Sequence, residues 1–374
     1  MLTKSHWEKA QAAACAGILC GILAATLAPF NPHPHNNVAW LRDVDGIRFS
    51  GRGTLISSRP FAPPDPAGAA ACSVEIWAQA ASVQITGTLL GFYSPEHPAS
   101  FFIRQYRQGI DSWRTVRGKF REAGATNMIV DAFHPGGPSF FALTANAHER
   151  SAYVDGALAE RSARLAPFCG DLTGWLVLGN SPESDFSWRG SLRGLAIFNR
   201  ELSAAEIVEH FHSWTRTGRP ALSAGEVPVA LYLFDERSGS VVHNRAGSAP
   251  DLTIPGHYLV LDKPFLETPW HEFKPTWDYL SDMLVNVLGF IPFGFIFCSY
   301  FSNVRRFQRA QRLAILLGFL LSLTIETLQG YLPTRGSGMT DVITNTLGAA
   351  IGTVLFRWRF TQVLYSRIGI SPAE

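Results

Sequence analysis

The stretch LLSLTIETLQGYLPTRGSGMTDVITNTLGAAIG, residues 320–352, decides the fold of the C-terminal part of the chain. It joins two apolar runs by a short polar turn, and each run is close to the length that crosses a hydrocarbon core of about 30 Å. A similar run, DMLVNVLGFIPFGFIF, covers residues 282–297, and ILAATLAPFNP closes another at residues 22–32. The pattern predicts four membrane spans, near residues 10–30, 283–301, 313–332 and 341–358.

The first span permits two interpretations. Its apolar run follows Lys4 and Lys9, as in a cleavable signal peptide or in a retained anchor. We favour the anchor, because the run is long enough to cross a bilayer and because Pro29 directly after Ala28 makes a poor cleavage site.

The connection between the second and third spans indicates the orientation. It contains Arg305, Arg306, Arg309 and Arg312 without an acidic residue, and such arginines stay in the cytoplasm. With four spans, both termini are then cytoplasmic, and residues 31–281 lie outside the membrane.

Composition and motifs narrow the class of protein. The hydrophobic fraction of 47% exceeds that of a typical soluble domain, and the excess lies at the two ends, which indicates membrane spans. A formal net charge of +2 argues against a nucleic-acid partner. We find no Walker loop, dinucleotide fingerprint, GxSxG elbow, HExxH or zinc spacing, so no cofactor is identified by motif.

The middle of the chain has a different period. Short runs rich in Val, Ile, Phe, Leu and Trp alternate with Gly, Pro, Asn and Asp, which predicts an antiparallel β-sandwich. The stretch YVDG at residues 153–156 predicts a tight hairpin. After the run GLAIFNREL, Ser203 and Glu206 have the spacing of a capping box at the start of a short helix.

These sandwich stretches resemble the concanavalin A-like, laminin G-type jelly roll. The segment NVLGFIPFG and the run E-x-x-Q…R…D-x-x-x-N resemble the VanZ-like family of membrane proteins, over residues 10–32 and 276–358. Together they imply an α+β multidomain protein, a four-helix transmembrane bundle with an extracytoplasmic β-sandwich inserted between the first and second spans. The expected domains are the first transmembrane helix 1–30, a linker 31–44, the sandwich 45–262, a linker 263–281, transmembrane helices two to four 282–358, and a cytoplasmic tail 359–374.

Polar residues in and between the C-terminal spans are functional candidates, because such side chains are costly in hydrocarbon. They form pairs on single helix faces, and the predicted orientation places all of them in the outer leaflet. We expect an outer-leaflet polar cleft in which Glu326, Arg335 and Asp341 are coupled. The alternative is structural, with amides bonding across helices and Arg335 neutralising an acid. The candidates are Asp282, Asn286, Glu326, Gln329, Arg335, Asp341 and Asn345.

Glycines predict close helix packing in the same spans. Gly289, Gly294, Gly348 and Gly352 lack side chains, and the last two have the small-xxx-small spacing that lets backbones approach. Pro292 is expected to kink the second span and free a carbonyl group.

The exported domain offers weaker candidates. Asn180, Glu183 and Asp185 in GNSPESDF could supply calcium with oxygen ligands, and the alternative is a solvated polar turn. Cys72 and Cys169 face an oxidising compartment and form either a disulfide or two buried thiols.

Large aromatic residues could also serve the exported domain in two ways. Trp113, Trp188 and Trp214 either stack on sugars or belong to the core.

The preferred interpretation of function is a multi-pass envelope protein of the bacterial inner membrane, without recognised enzymatic activity. Its cleft would take an amphiphilic, lipid-linked or glycan-related ligand, and its exported domain would bind glycan or protein. The resemblance implies a role in polysaccharide or envelope processes or in glycopeptide resistance. A second interpretation is a membrane-embedded enzyme, with Glu326 or Asp341 as general base on a lipid headgroup and Arg335 on its phosphate. A third is a structural or adhesive anchor. Expected partners are membrane lipid and a glycan or envelope protein, with calcium as the one candidate cofactor.

Overall fold

The computed structural model describes residues 4–61, 71–95, 99–116, 127–129, 131–163, 168–273, 275–358, 361 and 363. The chain forms two compact units. One is the sandwich unit, His33–Lys263, and the other is the helical unit, which combines Met1–Pro32 with Pro264–Glu374. The helix that precedes the sandwich in sequence therefore packs with the helices that follow it. Of the predicted tail 359–374, all but residues 361 and 363 lie outside the described residues.

The sandwich unit consists of two antiparallel sheets. In the first sheet the strand order is β1-β2-β13-β4-β9-β10-β11, with β14 beside β13, and the strands are β1 (Val38–Trp40), β2 (Ile47–Ser50), β4 (Cys72–Ala80), β9 (Ser139–Ala145), β10 (Arg150–Val154), β11 (Ala157–Ser162), β13 (Arg189–Phe198) and β14 (Ala230–Tyr232). In the second sheet the order is β15-β16-β3-β12-β5-β6-β7-β8, and the strands are β3 (Leu55–Ser57), β5 (Thr86–Tyr93), β6 (Ala99–Tyr106), β7 (Gly109–Val116), β8 (Asn127–Ile129), β12 (Trp175–Leu178), β15 (Val241–Val242) and β16 (Leu252–Thr253).

The segment 31–44, predicted as a linker, contains an edge strand. Val38–Trp40 forms β1 and pairs with β2, so that Ala39 lies opposite Arg48. Val38 and Trp40 pack against the core, which gives this short apolar run a reason to join the sheet.

Alternation along the strands builds the core between the sheets. In β2, Ile47 and Phe49 are buried while Arg48 and Ser50 are exposed, as expected for a strand with one face inward. The predicted hairpin forms between β10 and β11, with Asp155 and Gly156 both at positive φ.

A disulfide connects Cys72 to Cys169, with the two Cα atoms 5.5 Å apart. Cys72 begins β4, and Cys169 begins the short 3₁₀ helix Cys169–Asp171. Both lie in the core. The remaining cysteines, Cys15, Cys20 and Cys298, are free thiols in the helical unit.

Helix α2 (Ala204–Thr217) covers part of the outer face of the first sheet. Ser203 caps it in a capping box with Glu206, and Gly218 ends it at φ 71°. Its buried face, Ile207, His210 and Trp214, follows the helical period. Helix α2 therefore places the His210 side chain against the sheet.

A buried polar network lies beneath α2. Glu75 on β4 is fully buried, and its carboxylate contacts His210 Nδ1 at 2.8 Å and accepts a hydrogen bond from Trp214 Nε1 at 3.0 Å. Burial alone would lower the pKa of His210. The hydrogen bond with Glu75 and the charges of Glu75, Glu226 and Glu206 outweigh burial, so the pKa of His210 lies above its ordinary value.

The helical unit contains α1 (Lys4–Leu27), α3 (Pro269–Glu272), α4 (Trp277–Asn303), α5 (Ala310–Gly330) and α6 (Met339–Arg357). All except α3 are long and apolar enough to cross a membrane. Helix α1 ends at Leu27, earlier than the predicted end of the first span at Phe30, because proline at residue 29 disfavours helix in the residue before it. Helix α4 begins at Trp277, inside the predicted linker 263–281, where the Thr276 side chain caps it by accepting from the Tyr279 N–H.

Close packing of α4 against α6 depends on glycine. A Cβ atom on Gly348 would lie 2.2 Å from the Val287 carbonyl oxygen, and one on Gly352 would lie 2.1 Å from that of Ile291. The expectation for Gly289 is wrong, since a Cβ atom there would meet nothing within 4 Å. That residue is exposed on the other side of α4.

Candidate functional site

Polar side chains of the helical unit gather at the start of α6. Glu326 on α5 is 2% exposed, and its Oε2 accepts a hydrogen bond of 2.8 Å from the backbone N–H of Gly338, the residue that precedes α6. The Ser337 hydroxyl donates to the Glu326 carbonyl oxygen at 2.8 Å. The first N–H groups of a helix have no partner inside it and carry partial positive charge. The buried carboxylate is therefore stabilised by the helix start.

A second carboxylate meets the same helix start. Glu272 on α3 accepts a hydrogen bond of 3.0 Å from the Thr340 N–H and another from the Thr340 hydroxyl. The Tyr279 hydroxyl lies 3.1 Å from the same Thr340 oxygen. The sequence analysis missed Glu272, Ser337 and Thr340. The Gly-Ser-Gly triplet just before an apolar helix was the available signal, because such residues mark helix starts.

Two amide side chains connect the helices in this region. Asn286 on α4 donates to Asp341 Oδ1 on α6 at 2.8 Å. Asn345, one turn further along α6, donates to the Ser322 hydroxyl on α5 at 2.9 Å. The Asn345 Oδ1 atom is buried and accepts no hydrogen bond from any residue that the structure describes. We call Glu272, Asn286, Ser322, Glu326, Thr340, Asp341 and Asn345 the polar cluster.

Arg335 and Gln329 both contact the C-terminal end of α1. Arg335 donates to the Ala28 carbonyl oxygen at 3.0 Å, and Gln329 donates to that of Thr26 at 2.9 Å. Both satisfy carbonyl groups at the C-terminal end of α1, which the helix itself leaves unpaired. The expected coupling of Arg335 with Glu326 and Asp341 stays a prediction. Within the described residues Arg335 forms no ion pair with either acid, and Glu326 Oε2 accepts a hydrogen bond from the Gly338 N–H at the start of α6.

The polar cluster contains oxygen atoms that can accept further hydrogen bonds. Among the described residues, the Asp341 carboxylate accepts a side-chain hydrogen bond from Asn286 alone, and Asn345 Oδ1 accepts none. Asp282 is exposed one helical turn before Asn286. Such a set suits a ligand that donates hydrogen bonds, such as a hydroxyl or amino headgroup.

The candidate calcium residues of the sandwich unit hold a loop together. Asn180 is fully buried and its Oδ1 accepts from the Phe186 N–H at 3.1 Å. Asp185 accepts from the Tyr258 hydroxyl at 2.6 Å, and burial together with this carboxylate raises the pKa of Tyr258. In the part of the chain that the structure describes, no group of three or more His, Cys, Asp or Glu side chains could hold a metal ion. The Glu183 N–H donates to the Ser181 hydroxyl at 3.2 Å.

The three candidate tryptophans have different environments. Trp188 and Trp214 are buried core residues, 1% and 0% exposed, so sugar stacking on their rings is excluded in this fold. Trp113 is half-buried, and the Arg104 guanidinium lies 4.3 Å from its ring centroid.

The fold and the polar cluster define a two-domain protein with a β-sandwich and a bundle of helices able to span a membrane. Comparison with known families agrees: residues 229–361 match the VanZ/LLP1 family, and residues 58–208 match the concanavalin A-like lectin/glucanases superfamily. The chain thus carries a VanZ/LLP1 domain and a concanavalin A-like domain. The VanZ/LLP1 match includes the predicted region 276–358, begins within the last strands of the sandwich unit, and leaves out α1.

Solved structures similar to this chain include the CBM40 of the Ruminococcus gnavus IT-sialidase bound to α2,3-sialyllactose. It is 16% identical, covers 44% of this chain and 95% of its own, and has a TM-score of 0.33. A heptameric SAP-like pentraxin from Limulus polyphemus is 10% identical, covers 59% and 95%, and has a TM-score of 0.35. At such identities and TM-scores the likeness defines neither ligand nor function. No curated protein matches the chain.

Proposed function

We propose that this is an integral membrane protein of the cell envelope that binds an amphiphilic ligand at its polar cluster and a glycan with its sandwich. The observation that carries the proposal is the polar cluster itself, in which acceptor groups converge at one end of an apolar bundle. A tether would need one span and no such cluster. A lipid whose headgroup bears sugar hydroxyls would suit both domains, because lectins of the sandwich's superfamily bind carbohydrate.

The proposed topology places the sandwich, inserted between the first and second spans, outside the cytoplasmic membrane, with both termini inside. It rests on the exposed Arg305, Arg306, Arg309 and Arg312 near the junction of α4 and α5. The cluster at the start of α6 then lies in the outer leaflet. This arrangement would give the cluster and the sandwich access to one ligand on the same side of the membrane.

Labelling of single cysteines, introduced after the free thiols Cys15, Cys20 and Cys298 have been replaced by serine, tests this topology. We expect Ser184→Cys, in an exposed loop of the sandwich unit, to react with a membrane-impermeant maleimide on intact spheroplasts. Gln308→Cys, between α4 and α5, should react only after permeabilisation. The reverse pattern would contradict the orientation.

Ligand binding by the polar cluster predicts that specific lipids accompany the protein. We expect native mass spectrometry of the detergent-purified protein to detect a hydroxyl- or amine-bearing amphiphile. Asp341→Asn should reduce its occupancy about tenfold or more, since a hydrogen bond to a charged group contributes roughly 1.5 to 3 kcal/mol. Ile343→Ala, on the exposed face of the same helix, is the control and should change nothing. Equal lipid occupancy in wild type and Asp341→Asn would refute binding there and favour a plain anchor, whereas conversion of the bound lipid would favour the enzyme.

A further inference from the structure

A row of polar side chains crosses the outer face of the first sheet. The pairing places Ala39 opposite Arg48, Arg48 opposite Ser191, and Ser191 opposite Gln79, so one row runs through β1, β2, β13 and β4. Residues directly opposite each other in a sheet share a face. The neighbours of this row, including Ile47 and Phe49, are in the core. Arg48, Ser191 and Gln79 therefore lie on the face away from the core.

Helix α2 leaves this part of the face open. The Trp214 ring covers the face at Gly194, where a Cβ atom would lie 2.2 Å from it. Beyond that point, two adjoining cavities of about 490 and 560 Å³ share Arg48, Gln79 and Ser191 in their walls. We call this feature the sheet groove. Four strands at a spacing of about 4.8 Å give it a width of roughly 14 Å, enough for two or three sugar rings.

The sheet groove is positively charged. Among its described lining residues there is a single acid, Asp43. Within the described residues none of its arginines forms a salt bridge, whereas Arg104, Arg200 and Arg245 elsewhere in the sandwich each pair with a carboxylate. Its arginines are Arg42, Arg48, Arg189 and Arg193.

Arg193 is the least solvated of these cations. It occupies a bulge in β13, donates to Gln79 Oε1 at 2.9 Å, and lies 5.5 Å from the centroid of the Trp77 ring. Its Nε atom is buried without a hydrogen-bond partner among the described residues. Burial lowers the pKa of Arg193, because desolvation disfavours the charged form. A bound anion would offset that cost.

We propose that the sheet groove binds an anionic glycan, with Arg48, Arg189 and Arg193 on its acidic groups and Gln79 and Ser191 on its hydroxyls. Guanidinium groups match carboxylate and sulfate in geometry, and the neutral amide and hydroxyl both donate and accept, as sugar hydroxyls require. The inference rests on the proposed glycan-binding role of the sandwich and names its ligand class. It involves neither the polar cluster nor the helical unit.

Binding to the full-length protein in lipid nanodiscs tests the inference. The probes are tetragalacturonate, its methyl ester, which keeps the shape without the charge, and a heparin tetrasaccharide. We expect an acidic probe to bind and the ester to bind at least tenfold more weakly. Arg48→Gln should weaken the binding of the acidic probe at least tenfold. Arg48→Lys keeps the charge but loses the planar guanidinium group, so its affinity should lie between those of wild type and Arg48→Gln. Arg48 is exposed, so these variants retain the fold.

The control is Arg161→Gln, on β11 at the opposite edge of the same sheet, which should bind as wild type does. An equal loss in Arg161→Gln would mean unspecific charge attraction and would overturn the inference. Equal binding of the ester and the acid would overturn it too, while leaving glycan binding by the sandwich intact. If no acidic probe and no member of a neutral oligosaccharide panel binds, the inference and the proposed glycan-binding role both fail.

Discussion

Replacing Glu75 by alanine is expected to destabilise the sandwich unit by about 3 to 5 kcal/mol, the cost of breaking a buried pair. The variant removes the acceptor of two fully buried donors, His210 and the Trp214 indole N–H. Glu209→Ala is the matched control, since Glu209 lies next to His210 in sequence but is exposed on α2. The control should change stability by less than about 0.5 kcal/mol.

Hydrogen exchange of peptides from β4 and β13 in the full-length protein is the measurement, because it reports local stability in a protein with two units. The pH profile gives a second readout. Since the pKa of His210 is raised in the fold, the stability from its charged form is present below the unfolded value of about 6.5 and is lost as pH rises through the folded pKa. Glu75→Ala should flatten this decline. Unchanged exchange and an unchanged profile would show that the network contributes nothing.

Gly352→Leu is expected to disrupt the packing of α4 against α6. A Cβ atom there would lie 2.1 Å from the Ile291 carbonyl oxygen, and backbone cannot move aside as a flexible side chain can. Overpacking of this kind costs about 1 to 3 kcal/mol, and we expect the upper end or loss of the folded bundle. Gly289→Leu is the control, because it makes the same chemical change on an open face of α4.

Thermal stability in detergent, followed by size-exclusion chromatography after heating, distinguishes the two variants. Gly289→Leu should retain the elution profile of wild type, and Gly352→Leu should aggregate at lower temperature. Equal behaviour would mean that the helices do not approach at Gly352.

Local sequence patterns predicted much of the fold. The Asp155-Gly156 hairpin and the Ser203–Glu206 capping box follow from residues close together in sequence, because turns and caps depend on local backbone conformation. The ends of the spans were less well predicted. Trp277 begins α4 inside a predicted linker, since the exposed start of this helix has no continuous hydrophobic run to mark it.

The partners of the polar candidate residues in the helical unit were harder to predict from sequence. Spacing predicted pairs of polar residues on single helix faces, and charge suggested Arg335 as the partner of Glu326. One partner of Glu326 is the backbone N–H of Gly338, and every residue except proline has such a group, so residue type alone does not identify it.

The sequence by itself determined the four apolar helices and the two-domain character, because hydrophobic length and period are local properties. The tertiary structure alone decided which distant groups meet. Arg48, Gln79 and Ser191 form one row only through the register of strands far apart in the chain, and a shift of one residue would move each to the opposite face. Register arises from packing of the whole sandwich, which is why the sheet groove could not be predicted.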